Sequence, residues 1–263
     1  MESHTTKRAF SIRHNKSIGT VIFVVEGESD EFKLIHKIFH KILHYEVIIS
    51  KRNSPVIKRY TRYASEKNKS SRIIVINTSS SNVRSLREHD EYRSEIFRKL
   101  IEEYKIDPKN APVYYVWDRD AQSNDKTQVR SLVNNLGSAY DNNYCENGLL
   151  LLNYPALEAY NMSCFKTTSK HVLASVKPYK KSPLCSLVFI NEGKICLAAK
   201  SMHEALCGMG IVQDHSCYDT EHFGCTNCKI LKKEEEIYSK QHGYRLLSLL
   251  TIALLDLGIM EIN

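Results

Sequence analysis

Short apolar runs alternate with polar segments of helical periodicity over roughly the first 155 residues. The apolar runs have the length and the β-branched content of buried strands, and they cover about residues 20–25, 45–50, 72–77, 113–117 and 148–153. Helices are predicted between them over about residues 28–43, 84–105 and 127–140, with a short basic helix after Pro55. This alternation predicts an α/β fold, in which a mostly parallel sheet carries helices on both faces.

The rest of the chain is less regular, and we predict a division near residue 160. Residues 1–160 would form the sheet domain, and residues 161–263 a helical and irregular C-terminal region. That region holds a segment rich in cysteine and histidine at 215–228 and a predicted long helix at about 234–257. The helix is apolar over most of its last part, which favours core packing or a homodimer interface.

Acidic residues follow three of the predicted strands. The first strand ends at Glu26-Gly27-Glu28-Ser29-Asp30-Glu31, the fourth ends in Asp118-Arg119-Asp120, and the fifth leads to Glu158. Because ligands in open α/β sheets bind at the carboxyl ends of the strands, we expect these acids to converge. Their mutual repulsion would be relieved by Mg²⁺ or Mn²⁺, which prefer carboxylate oxygens.

The predicted metal ligands are Glu26, Asp30, Asp118, Asp120 and Glu158. Glu26, Asp118 and Asp120 are also the predicted catalytic residues, with Glu26 acting either as a ligand or as a general base. The alternative is that acids after strands only cap helices and favour the helix dipole. Lysines at 177, 180 and 181 could offset charge on a reacting phosphate, or they could form an ordinary exposed basic loop.

The net charge of +7 favours a polyanionic partner such as nucleic acid, although a solvated basic surface without a partner would give the same charge. Positive charge is concentrated between residues 51 and 72, where Glu66 is the only acid. Tyr60 and Tyr63 lie within this segment and could stack on bases. The predicted nucleic-acid-binding residues are Lys51, Arg52, Lys58, Arg59 and Arg62.

All eight cysteines lie in the second half of the chain. The N-terminal residues lack the apolar segment of a secretory signal, and no apolar run reaches the roughly 18 residues of a membrane span. We therefore expect a cytoplasmic protein with mostly reduced cysteines. Cys217, His222, Cys225 and Cys228 could hold a structural Zn²⁺, and the alternative is reduced cysteines in a loop.

The pairing of EGESD at 26–30 with WDRD at 117–120 resembles the Toprim domain of topoisomerases, primases and OLD-type nucleases. That resemblance implies a glutamate and an Asp-x-Asp pair around a divalent metal. Glu26 and Asp30 also fit the Glu-x-x-x-Asp pattern of the nuclease branch. The distance from Glu26 to Asp118 is longer than in a minimal Toprim domain, which suggests a basic inserted segment at about 51–110.

Among Toprim proteins, the chain most resembles the small stand-alone effectors of anti-phage systems of the PARIS type, partly through NYPALEAY at 153–160. That resemblance implies cleavage of RNA such as tRNA, and an ABC-type ATPase that restrains the effector. The chain has no GxxxxGK[ST] motif, so ATP gating would require a separate chain. The alternatives are an OLD-type DNA endonuclease, a primase-like or topoisomerase-like enzyme, and a non-catalytic nucleic-acid-binding module.

Overall fold

The computed structural model describes residues 9–27, 29–52, 56–78, 90–108, 110–122, 124–140, 148–166, 168–175, 186–213 and 218–263. The strands in these ranges are β1 (Phe10–Ile12), β2 (Thr20–Val25), β3 (Tyr45–Arg52), β4 (Ile57–Ser65), β5 (Arg72–Thr78), β6 (Val113–Asp118), β7 (Leu149–Tyr154), β8 (Val172–Leu173), β9 (Tyr244–Arg245), β10 (Leu247–Ser248) and β11 (Met260–Ile262). The α-helices are α1 (Asp30–His36), α2 (Asp90–Glu102), α3 (Lys126–Asn135), α4 (Glu158–Ser163), α5 (Glu192–Gly208), α6 (Phe223–Gln241) and α7 (Leu250–Asp256). A π-helical turn (Lys37–Ile42) continues α1, and a 3₁₀ turn (Leu187–Phe189) precedes α5.

The predicted α/β fold is confirmed. Seven strands form the central sheet in the order β10-β7-β6-β2-β5-β4-β3. The four strands β7, β6, β2 and β5 are parallel neighbours, whereas β10 and β4 run antiparallel to them. The parallel strands are almost completely buried, as expected for strands that are covered on both faces.

The segment after Pro55 is a strand, so the predicted short basic helix is wrong. The backbone of β4 pairs with β3 on one side and with β5 on the other. Tyr60 and Tyr63 are each only 1% exposed, and the ring of Tyr60 stacks on Tyr104 at a centroid distance of 4.4 Å. The prediction that these tyrosines stack on bases is therefore also wrong, because both rings belong to the core.

The single C-terminal helix predicted at about 234–257 is also wrong. Helix α6 ends at Gln241, and His242 adopts a left-handed φ of 53°, which is a common way to end a helix. A side chain at the next residue, Gly243, would clash with the backbone of Leu173, because β8 and β9 approach closely there. The chain then forms β9, β10, α7 and β11 in place of a continuing helix.

The apolar segment from Leu246 to Met260 is mostly buried within its own chain. The basis for a homodimer through a C-terminal helix is therefore removed, since these side chains fill the core of the subunit. The described core contains residues from both sides of residue 160, and β10 joins the central sheet. The domain division near residue 160, with its inserted segment, stays a prediction.

Three further findings bear on the sequence predictions. Within the described ranges, no helix is both long enough and apolar enough to span a membrane. The five cysteines that the structure describes are free thiols: Cys164, Cys196, Cys207, Cys225 and Cys228. Some predicted residues lie outside the described ranges, namely Pro55, Cys217, Glu28 and the lysines at 177, 180 and 181.

Candidate metal centre and active site

The sheet places Glu26 and Asp118 side by side. Strands β2 and β6 are parallel neighbours, with Val25 paired to Val116. Immediately beyond this pair, the Glu26 carboxylate accepts a hydrogen bond from the backbone N–H of Asp118, at 2.9 Å from Oε2. The sequence prediction that acids from these two strands converge is borne out for this pair.

Two asparagines at the ends of the flanking strands hold the acids in place. Asn153 on β7 donates from Nδ2 to Asp118 Oδ1 at 3.2 Å. Asn77 on β5 donates from Nδ2 to the backbone carbonyl of Glu26 at 2.7 Å. Both are buried, and neither was predicted as a site residue. The sequence signal was a single amide at the end of an apolar run, in RIIVIN and LLLLN.

Burial and like charges raise the pKa of both central acids. Burial raises the pKa of Glu26 to about 7, with smaller contributions from the charges of Glu31 and Asp120, while the hydrogen bond from Asp118 opposes the rise. Burial also raises the pKa of Asp118 well above its usual range, followed by the charges of Glu26, Glu31 and Glu158. Five carboxylates therefore interact at this edge of the sheet, and the term carboxylate cluster is used below for Glu26, Glu31, Asp118, Asp120 and Glu158.

Glu31 is the member of the carboxylate cluster that the sequence prediction missed. It is 8% exposed, and its carboxylate lies over Gly27, in the space that a Cβ at residue 27 would occupy. A side chain at residue 27 would therefore displace the end of the Glu31 side chain. Helical periodicity contains the signal, because Glu31 lies four residues before Ile35 on the buried face of α1.

The other predicted ligands have different surroundings. Glu158 is 8% exposed in the first turn of α4, and Asp120 accepts a hydrogen bond from the backbone N–H of Gln122 at 3.0 Å. Asp30 points away from the cluster. Its carboxylate pairs with Lys33 Nζ at 3.3 Å, and its side chain is 60% exposed. Its assignment as a metal ligand stays a prediction.

The chemistry of the carboxylate cluster fits a hard divalent cation, although its geometry is not that of a finished coordination shell. Within the described ranges, no three acidic, histidine or cysteine side chains form a ready-made metal-binding group. Yet the oxygen donors are of the kind that Mg²⁺ and Mn²⁺ prefer, and the repulsion that raises the pKa values of Glu26 and Asp118 would be relieved by a cation. Glu26 and Asp118 are the residues best placed to hold it.

The basic residues of the β3–β4 hairpin lie at the same edge of the sheet. One transverse row of paired residues runs through Arg52, Arg59, Asn77, Val25 and Val116. Lys51 and Lys58 are the chain neighbours of Arg52 and Arg59, so four of the five predicted nucleic-acid-binding residues stand near this edge. The fifth, Arg62, pairs with Ile74 and lies further along the strand.

Arg119, between the two predicted aspartates, is anchored in the protein interior. It is 2% exposed, and its guanidinium contacts Glu235 Oε1 on α6, with Nε at 2.7 Å. It also donates to the backbone carbonyl of Asn124 at 3.0 Å. Asn124 in turn donates from Nδ2 to the carbonyl of Asp118 at 3.0 Å. These bonds fix the path of the Asp118-Arg119-Asp120 segment.

The three described zinc candidates do not converge on one point. His222 pairs with Asp219, the thiol of Cys228 donates to Asn134 Oδ1 at 3.1 Å, and Cys225 is exposed on α6. Cys217 lies outside the described ranges. The zinc site therefore stays a prediction.

Comparison with known proteins gives no relative. No protein-family model, no curated protein and no solved structure matches the chain. The residues and geometry of the carboxylate cluster therefore carry the functional assignment.

Proposed function

We propose that the protein is a Mg²⁺- or Mn²⁺-dependent endonuclease of the Toprim type. The observation that carries the proposal is the meeting of Glu26 and Asp118 at the ends of neighbouring parallel strands, with raised pKa values at both carboxyls. Buried acids with shifted pKa values in a cluster are characteristic of functional sites. The resemblance of EGESD and WDRD to Toprim nucleases agrees with this assignment.

In this proposal Glu26, Asp118 and Asp120 hold the metal, with Glu31 and Glu158 close by. A bound divalent ion would supply an activated water and stabilise charge on the phosphate. The alternative role for Glu26 is that of a general base outside the metal shell, and its pKa of about 7 without bound metal suits proton transfer near neutral pH. Asn77 and Asn153 orient the backbone and carboxylate of the two central acids.

The basic β3–β4 hairpin would hold the substrate backbone next to these acids. Lys51, Arg52, Lys58 and Arg59 supply positive charge at the sheet edge where the carboxylates end, as a phosphodiester substrate requires. From the resemblance we further propose RNA such as tRNA as the substrate, action in the cytoplasm in anti-phage defence, and restraint by an ABC-type ATPase.

The test is a cleavage assay on purified protein with tRNA and with DNA, in Mg²⁺, in Mn²⁺ and in EDTA. We expect discrete tRNA fragments with either metal and none in EDTA. Glu26→Gln and Asp118→Asn should each reduce the rate by at least about 100-fold, since each removes a metal ligand. The matched control is Glu102→Gln, which changes an exposed glutamate paired with Arg98 on α2.

Other outcomes would redirect the proposal. Cleavage of DNA alone would indicate an OLD-type substrate preference. Binding of nucleic acid that survives EDTA, with no cleavage under any condition, would contradict a nuclease and favour a binding module. Because a restrained enzyme could also be silent, the assay is repeated by expressing wild-type and Glu26→Gln chains in cells with the candidate ATPase and its trigger, followed by RNA gels.

A further inference from the structure

A cleft of about 510 Å³ lies between helices α3 and α6. The two helices run antiparallel along it. Lys126 at the start of α3 meets Glu235 late in α6, with Nζ 3.7 Å from Oε2, and Asn134 near the end of α3 meets Cys228 early in α6. The cleft is therefore a defined groove between two packed elements.

The cleft carries an excess of positive charge. Four exposed cations line it: Lys126, Arg130, Lys229 and Lys232. Of its two acids, Glu235 is paired with the buried Arg119 and with Lys126, and Glu236 is paired with Lys233, which does not line the cleft. An anion entering the cleft would therefore meet the positive charges of Arg130, Lys229 and Lys232.

The cleft also has apolar surface, because the aliphatic stems of its lysines and of Arg130 line it, next to the nearly buried Val133 and Leu231. Its volume falls within the range of roughly 300–1,000 Å³ that small-molecule sites occupy. Arginine matches phosphate oxygens with a planar fork, and lysine adds mobile point charges. A ligand that satisfies both surfaces has phosphate groups joined to a flat, largely apolar ring, which is the chemistry of a nucleotide.

We propose that this cleft is a nucleotide-binding site. Arg130, Lys229 and Lys232 hold the phosphates, and the base lies against the apolar part of the lining. The ligand is either a free nucleotide or one unit of a single strand, which share this chemistry. The site is separate from the carboxylate cluster and does not depend on that cluster being catalytic.

The test is a fluorescence titration of the whole protein with methylanthraniloyl-ADP in EDTA, so that no divalent metal contributes. We expect saturable binding that Arg130→Glu and Lys232→Glu each weaken by about tenfold or more. The matched control is Lys240→Glu, the same charge change at an exposed residue of α6 outside the cleft. Circular dichroism and thermal unfolding establish that each variant is folded. An absence of saturable binding, or an equal loss in Lys240→Glu, would overturn the proposal.

Competition separates the two sources of the ligand. Displacement by a five-nucleotide RNA at lower concentrations than unlabelled ADP would support a strand unit, and the reverse order would support a free nucleotide. Pyrophosphate tests the role of the apolar surface. If it displaced the probe as well as ADP does, the assignment of the base to the apolar lining would be overturned.

Discussion

Asp118 and Arg119 are neighbours in the chain, and their surroundings are opposite. Asp118 lies among carboxylates of the same charge, and desolvation of its carboxyl together with their repulsion raises its pKa. Arg119 lies against the carboxylate of Glu235, and Tyr244 donates a hydrogen bond to the same oxygen at 3.0 Å. Two adjacent residues therefore belong to opposite environments: Asp118 to a cluster of like charges, and Arg119 to a buried pair of opposite charges.

The difference separates two uses of buried charge. A satisfied pair such as Arg119 and Glu235 fixes the local path of the chain, and breaking it is costly. A cluster of like charges has no such benefit for stability. It destabilises the fold at neutral pH, and burial of this kind is found where a ligand or a reaction requires it. We therefore expect the Arg119–Glu235 pair to be structural and the carboxylate cluster to be functional.

The largest expected effect comes from the structural pair. Arg119→Met would leave the buried Glu235 carboxylate with only the exposed Lys126 and the Tyr244 hydroxyl among the contacts described above, and we expect the free energy of unfolding to fall by about 3–5 kcal/mol. Urea denaturation measures it. The control Arg98→Met removes an exposed ion pair with Glu102 and should cost no more than about 1 kcal/mol. If both variants lost the same small amount, the pair at Arg119 would not be structural.

Removing a charge from the carboxylate cluster should stabilise the fold, whereas breaking the Arg119–Glu235 pair should destabilise it. Glu26→Gln removes a charge that the folded state disfavours, so it should raise the free energy of unfolding in EDTA at pH 8. The rise of the pKa from 4.5 to about 7 corresponds to about 3 kcal/mol. The sign follows from linkage: the folded state retains the Glu26 proton up to a higher pH than the unfolded state does. Wild-type stability from this group is therefore complete below pH 4.5 and is lost as pH rises through 7.

The measurement is urea denaturation of wild type and Glu26→Gln between pH 4 and pH 8. The difference between the two should be near zero at pH 4 and should reach its full size by pH 8. A Glu26→Gln variant that is less stable than wild type at pH 8 would contradict the assignment of Glu26 to a repulsive cluster. Glu102→Gln serves as the control, because its carboxylate is exposed.

Sequence patterns predicted the parts of the fold that depend on local signals. The five apolar runs are all strands. Four of them are buried parallel strands, which are apolar along their whole length. The other run is β3, an antiparallel edge strand whose side chains are mostly exposed. The prediction for the segment after Pro55 was wrong because β4 is stabilised by backbone pairing with β3 and β5, which the pattern within the segment alone does not contain. The long C-terminal helix was wrong for a similar reason. The close approach of β8 to Gly243 is a tertiary constraint, although the His-Gly pair at 242–243 was a local stop signal.

The candidate site, like the fold, could be predicted only where local sequence signals were sufficient. Glu26 and Asp118 follow directly from strand ends in a parallel sheet. The position of Glu31 does not follow from a strand end, because it depends on how α1 packs over Gly27. Asp30 has the Glu-x-x-x-Asp spacing from Glu26, but its carboxylate is exposed and pairs with Lys33. Spacing along the chain defines which residues are near, and the direction of each side chain depends on the packed structure.

The smallest expected effect is the stabilisation by Mg²⁺, which distinguishes Glu31 in the carboxylate cluster from the exposed Asp30. Free Mg²⁺ at ten times its dissociation constant should raise the free energy of unfolding of wild type by about 1.4 kcal/mol. We expect Glu31→Gln to lower that increment, because its charge acts on both Glu26 and Asp118. Asp30→Asn should retain the full increment and change stability by less than about 1 kcal/mol, as loss of an exposed ion pair does. Urea denaturation with and without Mg²⁺ measures both variants. If Asp30→Asn abolished the Mg²⁺ increment and Glu31→Gln left it intact, Asp30 would be the metal ligand, as the Glu-x-x-x-Asp spacing predicts. Glu31 would then have a structural role only.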